Sequence, residues 1–159
     1  MGVIKYIDFG AARVLGREKR TIARTRLGAS DPAAANSLTG TPSYMAPEVI
    51  KGEHKGRQGA MDVWGLGCVV LECATGKRPW GGLDNEWAIM FQIGIAAKPP
   101  PLPDETQLSA LGIDFIRQCL TIDANHRPTA VQLSEHPWIT SFRESIALAY
   151  AEECVGATA

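Results

Sequence analysis

The sequence predicts a mainly α fold, on three observations. Residues 61–75 carry Val63, Trp64, Leu66, Cys68, Val69, Val70, Leu71 and Cys73, an apolar pattern that runs nearly all round a helix and implies burial on every side. Two later stretches repeat apolar residues at helical spacing: Trp87, Met90, Phe91 and Ile95, then Leu108, Leu111, Phe115, Ile116, Cys119 and Leu120. Strand-like composition is confined to one short run near the start, Val3, Ile4, Tyr6 and Ile7.

Taken in order, residues 3–7 read as a strand that delivers Asp8 to its end, and Gly10 lets the backbone turn there. From Ala11 to Leu38 the chain is first basic and then small and polar, with Gly28, Ser30, Pro32 and Asn36 discouraging regular structure. Ile50 to Gly59 holds Gly52, Gly56 and Gly59 and reads as a loop feeding the helix that starts about Met61. Gly76 ends that helix, and Asp84 or Asn85 caps the next, whose Trp87, Met90, Phe91 and Ile95 stripe is expected to pack in the core. Lys98-Pro99-Pro100-Pro101-Leu102-Pro103 forces an extended connector into the following amphipathic helix. Thr129 with Gln132 forms a capping box for a short helix that stops at His136-Pro137-Trp138. Beyond it, Phe142, Ile146, Ala149 and Tyr150 share one side of a last helix.

With 159 residues, 45% of them apolar, the chain is long enough for a real core, and its net charge of -1 is that of neither a tail nor a coiled coil. Arg13, Arg17, Lys19, Arg20, Arg24 and Arg26 crowd one loop, but no aromatics interleave with them, so no nucleic-acid partner is expected. The cysteines Cys68, Cys73, Cys119 and Cys154 and the histidines His54, His126 and His136 show no metal-ligand spacing. The expectation is a reduced, cytoplasmic protein. The longest apolar run, Val63 to Ala74, is too short to span a bilayer and contains Glu72, so no membrane partner is expected either.

The chemistry-bearing motifs are Asp8-Phe9-Gly10, then Gly40-Thr41-Pro42-Ser43-Tyr44-Met45-Ala46-Pro47-Glu48, Asp62-Val63-Trp64-Gly65 and Arg127 in Asp123-Ala124-Asn125-His126-Arg127-Pro128. Each is weak alone, and their order and spacing give them weight. Together they resemble the second half of a serine/threonine protein kinase domain. The nearest likeness is to mitogen-activated protein kinase kinase kinases of the fungal osmotic-stress branch, through Asp-Phe-Gly-Ala-Ala, Gly-Thr-Pro-Ser-Tyr-Met-Ala-Pro-Glu-Val-Ile and Thr75-Gly76-Lys77-Arg78-Pro79-Trp80. The resemblance covers residues 2–139 and implies two segments. Residues 1–139 would be a partial kinase domain with its helical C-lobe, and 140–159 a C-terminal tail.

The resemblance also implies roles. Asp8 would be catalytic as the residue that binds the Mg ion bridging the ATP phosphates, a hard oxygen ligand suited to an ion that needs few protein donors. Thr41 would touch the catalytic aspartate, and Ser37 and Thr39 are candidates for activation-loop phosphorylation, where a phosphate would find nearby arginines. Structural parts go to Gly10, to Asp62 as the aspartate that holds the catalytic-loop backbone, and to Glu48 paired with Arg127. Asp62 is expected to be buried and the pair mostly so. Ala124 departs from the family, where many relatives have proline after the aspartate.

The larger departure is that no glycine-rich loop, no Val-Ala-x-Lys strand and no His-Arg-Asp loop occurs in the 159 residues. These parts are expected before residue 1, and the chain alone is expected to be inactive, because phosphoryl transfer works by positioning and charge stabilisation. Two functions follow. One is part of a kinase that transfers the ATP γ-phosphate to Ser/Thr of a MAP kinase kinase in stress signalling, under upstream regulators. The other is a truncated, non-catalytic kinase module that acts by protein–protein interaction.

Overall fold

Helix α2, Ala60–Thr75, is the axis of residues 40–156 in the computed structural model. The structure describes residues 5, 7–9, 12, 40–53 and 57–156, with side chains up to Ile146. Residues 1–39 and 40–159 are two separate units. Gly10, Ser37 and Thr39 lie outside the described residues, as does the basic stretch apart from Ala12. Of the strand expected over residues 3–7, Lys5 and Ile7 are described and neither lies in one. Among the described residues there is no strand.

The second unit begins with a 3-10 turn, Pro42–Tyr44, followed by α1, Pro47–Ile50, and α2. Then come α3, Glu86–Gly94; α4, Ala110–Cys119; α5, Ala130–Ser134; and α6, Pro137–Gly156. The start signals read from sequence are made by side chains. The Asn85 side chain accepts from the Trp87 N–H at 2.8 Å; at the start of α4 the Ser109 hydroxyl, not singled out in the sequence, accepts from the Gly112 N–H at 3.3 Å. Thr129 and Gln132 bond reciprocally at 3.0 and 2.8 Å, closing the capping box on α5. At the other end of α2, Gly76 takes φ 66 and donates to the Glu72 carbonyl at 2.8 Å, a left-handed stop that a side chain would strain. Helix α6 runs through the boundary expected between residues 139 and 140.

Helix α2 packs chiefly on α4, α3 on α1 and the 3-10 turn, and α6 on α4 and α5. One core cluster gathers Trp64, Cys68, Leu71, Trp80, Ile89, Ile93, Ile116 and Leu120, and a smaller one Val63, Phe115, Cys119 and Leu133. Where α2 meets α4 the backbones come close: a Cβ on Gly67 would stand 2.6 Å from Cys119 Cβ and 3.1 Å from Leu120 Cδ2. The first of these atoms is fixed to the α4 backbone and cannot swing away. Gly67→Ala in the full-length protein is therefore expected to cost about 1–3 kcal/mol by overpacking, read as a lowered urea midpoint at unchanged slope.

Two expectations about burial are corrected. Helix α2 is apolar all round but buried along one side only, with Met61, Leu66 and Val69 about half exposed. Its composition supplies the capacity for burial, and among the described residues no element lies on that side. The α3 stripe is reversed as well. Ile89 and Ile93 enter the core, whereas Trp87 is 77%, Phe91 51% and Ile95 75% exposed. Both sets repeat at four residues, so periodicity alone does not say which one faces inward.

Candidate functional site

The segment from Gly40 to Glu48 is held at both ends. Pro42 opens the 3-10 turn with its φ already set, Tyr44 N–H donates to the Thr41 carbonyl at 3.0 Å, and Met45, Ala46 and Pro47 are buried. Thr41 itself is exposed, and its hydroxyl does not cap the turn. The Tyr44 hydroxyl donates to Glu72 Oε2 on α2. That bond to a carboxylate, aided by desolvation, holds the phenol above its ordinary range. Sequence reasoning missed this contact: Glu72 stands out as the one charge in an apolar run, but nothing local links it to Tyr44, 28 positions away.

The far end is fixed by Arg127. Its Nη1 donates to Glu48 Oε1 at 2.8 Å and its Nη2 to Glu48 Oε2 at 3.0 Å, a two-pronged match of fork to carboxylate. The side chains are 0% and 12% exposed. Arg127 also donates to the carbonyls of Thr121 at 2.9 Å, Ala60 at 2.7 Å and Ile122 at 3.4 Å, and its guanidinium lies 5.2 Å from the Trp64 ring centroid. One side chain thus joins α1, the start of α2 and the loop before α5, and its charge is met on every side. Arg57 adds a second clamp, donating through Nη2 to the carbonyls of Arg127 and Pro128 at 3.1 and 2.7 Å. A lone arginine in a glycine-rich loop gives no sequence signal for that role.

Asp62, expected to be buried, is exposed. It sits in the first turn of α2, where a carboxylate complements the helix dipole, on the side that no described element covers. Asp8 belongs to the first unit and is exposed, with φ 60, a left-handed backbone that Asp and Asn tolerate better than other side chains and that clusters at functional sites. The Ala12 N–H donates to the Phe9 carbonyl at 3.0 Å.

Among the described residues no group of three or more His, Cys, Asp or Glu converges as a metal cage. A single exposed carboxylate such as Asp8 would fit Mg, which takes one or two protein carboxylates alongside phosphates and water. Cys68 and Cys119 do not suit a thiolate metal site: both are buried, which pushes their thiols up to about 12. His136 is structural. Its Nδ1 accepts from the Trp138 N–H at 3.1 Å, which leaves the proton on Nε2 to donate to Asp114 at 3.1 Å. That contact, with Gln118, keeps the Asp114 carboxyl below its usual range. No helix among the described residues is long and apolar enough to cross a membrane.

Comparison with known proteins agrees with this layout. The protein kinase domain family matches residues 1–139. The chain is 48% identical over 90% of its length to serine/threonine-protein kinase SSK22 of Saccharomyces cerevisiae and 48% identical over 90% to MAP kinase kinase kinase wis4 of Schizosaccharomyces pombe. It is 43% identical over 87% of its length to human mitogen-activated protein kinase kinase kinase 4. It covers 11%, 10% and 8% of those three proteins, about a tenth of each. From the Asp8-Phe9-Gly10 motif to the Glu48–Arg127 pair and the helices around α2, the chain belongs to the protein kinase domain family.

Proposed function

We propose that the protein carrying this chain is a serine/threonine kinase of the MAP kinase kinase kinase type, which transfers the ATP γ-phosphate to Ser/Thr of a MAP kinase kinase in cytoplasmic stress signalling. The observation that carries this reading is the buried, bidentate Glu48–Arg127 pair. It fixes one end of the segment that in protein kinases receives the substrate, while Tyr44–Glu72 ties the middle of that segment to α2. The Gly-Thr-x-x-Tyr form of residues 40–44 and the names of the relatives support Ser/Thr rather than Tyr as acceptor.

In this reading residues 1–139 are part of the catalytic domain and 140–159 follow it as a tail. Asp8 would hold Mg, which would supply charge neutralisation for the transferred phosphoryl group. The exposed Thr41 touches the catalytic aspartate in this reading. Ser37 and Thr39 receive regulatory phosphate from an upstream activator, which pairs with arginines of the preceding stretch.

The test uses the full-length protein, because the His-Arg-Asp loop is not among the 159 residues. Incubated with radiolabelled ATP, Mg and a MAP kinase kinase disabled in its own active site, it is expected to label Ser or Thr. Label on Tyr alone, or none, overturns the proposal.

A further inference from the structure

We propose that Arg78 is a specificity residue that reads an anionic side chain, carboxylate or phosphate, on the protein substrate beside the residue that is phosphorylated. This rests on the kinase reading above.

The turn that carries Arg78 is built onto the element that holds the substrate-receiving segment. Glu72, whose carboxylate accepts the Tyr44 hydroxyl, stands in the last turn of α2, and its carbonyl accepts the Gly76 N–H that closes the helix. Lys77 and Arg78 follow at once. The Tyr44 phenol is raised first by its bond to Glu72 and is lowered, more weakly, by the positive charge of Arg78. Guanidinium and phenol therefore stand within electrostatic range of each other.

The backbone of the turn is fixed before any substrate arrives. The Thr75 hydroxyl donates to the Leu71 carbonyl at 2.8 Å and accepts from the Lys77 N–H at 3.2 Å, and the Gly81 N–H donates to the Arg78 carbonyl at 2.9 Å. Pro79 and Trp80, next along the chain, are buried, and Trp80 belongs to the core cluster on which Tyr44 also packs. Trp80 takes φ 64, a left-handed backbone that a bulky residue adopts only where its surroundings impose it. Only the Arg78 side chain itself remains to be ordered by a ligand.

The charge left open beside the segment is positive. Glu72 is half-buried and commits Oε2 to Tyr44, whereas Lys77 and Arg78 are exposed and form no ion pair among the described residues. Exposed basic residues are ordinarily just solvated. This one stands on a rigid turn against the segment where the substrate lies, and its planar fork matches a carboxylate or a phosphate and repels a basic residue.

The experiment uses the full-length protein as wild type, Arg78→Ala, Arg78→Lys and Arg78→Glu. The probes are Ser peptides that differ in one flanking residue, Gln, Glu, Lys or phosphoserine, scanned over the positions around the acceptor. Transfer from radiolabelled ATP gives kcat and KM, and fluorescence anisotropy gives affinity. Wild type is expected to prefer Glu over Gln at one flanking position by about fivefold, the upper range of a single exposed charge pair, through KM rather than kcat. The preference should shrink as salt rises. It should vanish in Arg78→Ala, persist in Arg78→Lys and give way to a preference for Lys in Arg78→Glu. Phosphoserine taken over Glu identifies the anion as a phosphate already on the substrate, and Glu taken equally or better identifies it as an acidic residue. Equal use of the Glu, phosphoserine and Gln peptides by wild type, or a preference that Arg78→Ala keeps, overturns the proposal while the kinase reading stands. Wild type that labels no peptide but binds the Glu peptide more tightly through Arg78 overturns the kinase reading while the anion site stands.

Discussion

Arg127→Ala in the full-length protein is expected to lower stability by about 3–5 kcal/mol, the range for a buried pair broken from one side. The truncation strands the Glu48 carboxylate, which is 12% exposed, and takes donors from the carbonyls of Thr121, Ala60 and Ile122. It also leaves the Trp64 face without its cation. The stranded Glu48 carboxylate is the larger part of this cost, because a stranded buried charge is penalised more heavily than an absent contact. Two companions separate the terms. Glu48→Gln keeps an acceptor and removes the charge, and is expected to cost less. Arg127→Met with Glu48→Leu removes both charges and fills the volume, so it should recover much of the loss of the single truncation. Denaturant melts of the four proteins decide the matter. If Arg127→Ala shifts stability by less than about 1 kcal/mol, the range of an exposed pair, then the ion pair does not pin residues 40–48.

What sequence could and could not deliver follows from the kind of physics involved. Helix ends were legible because they depend on local chemistry: the Asn85 cap, the Thr129–Gln132 box and the left-handed Gly76 are each decided within four residues. The Glu48–Arg127 contact spans 79 positions and was accessible only through a motif resemblance, since nothing local links those charges. The inward face of α3 was not legible. The sets 87, 91, 95 and 89, 93 have equal claims by period, and the close approach of Gly94 to Ile50 of α1 is part of what settles the choice. Exposure along Met61, Asp62, Leu66 and Val69 was hidden for a related reason: an apolar residue shows that it can be covered, not that a described neighbour covers it. Tyr44–Glu72 and the Arg57 clamp join ordinary residues whose only distinction is where the chain carries them.

The largest expected effect on activity belongs to Asp8→Asn in the full-length protein: phosphoryl transfer falls by about a thousandfold or more while the fold is kept. The fold should survive because the residue is exposed and its φ of 60 lies in the region that Asn occupies as readily as Asp. Size is conserved, so the variant should keep a single cooperative thermal melt. Transfer should collapse because an amide oxygen is a far weaker ligand for a hard divalent cation than a carboxylate. Charge neutralisation at the phosphates is also where most catalysis of this reaction resides, and one well-placed electrostatic contact carries about a hundredfold to a thousandfold by itself. Nucleotide binding provides the independent readout. Wild-type protein is expected to be stabilised more by ATP with Mg than by ATP alone, and Asp8→Asn should erase that difference. A variant that turns over normally, or that keeps the full Mg-dependent stabilisation, removes Asp8 from the metal-binding role.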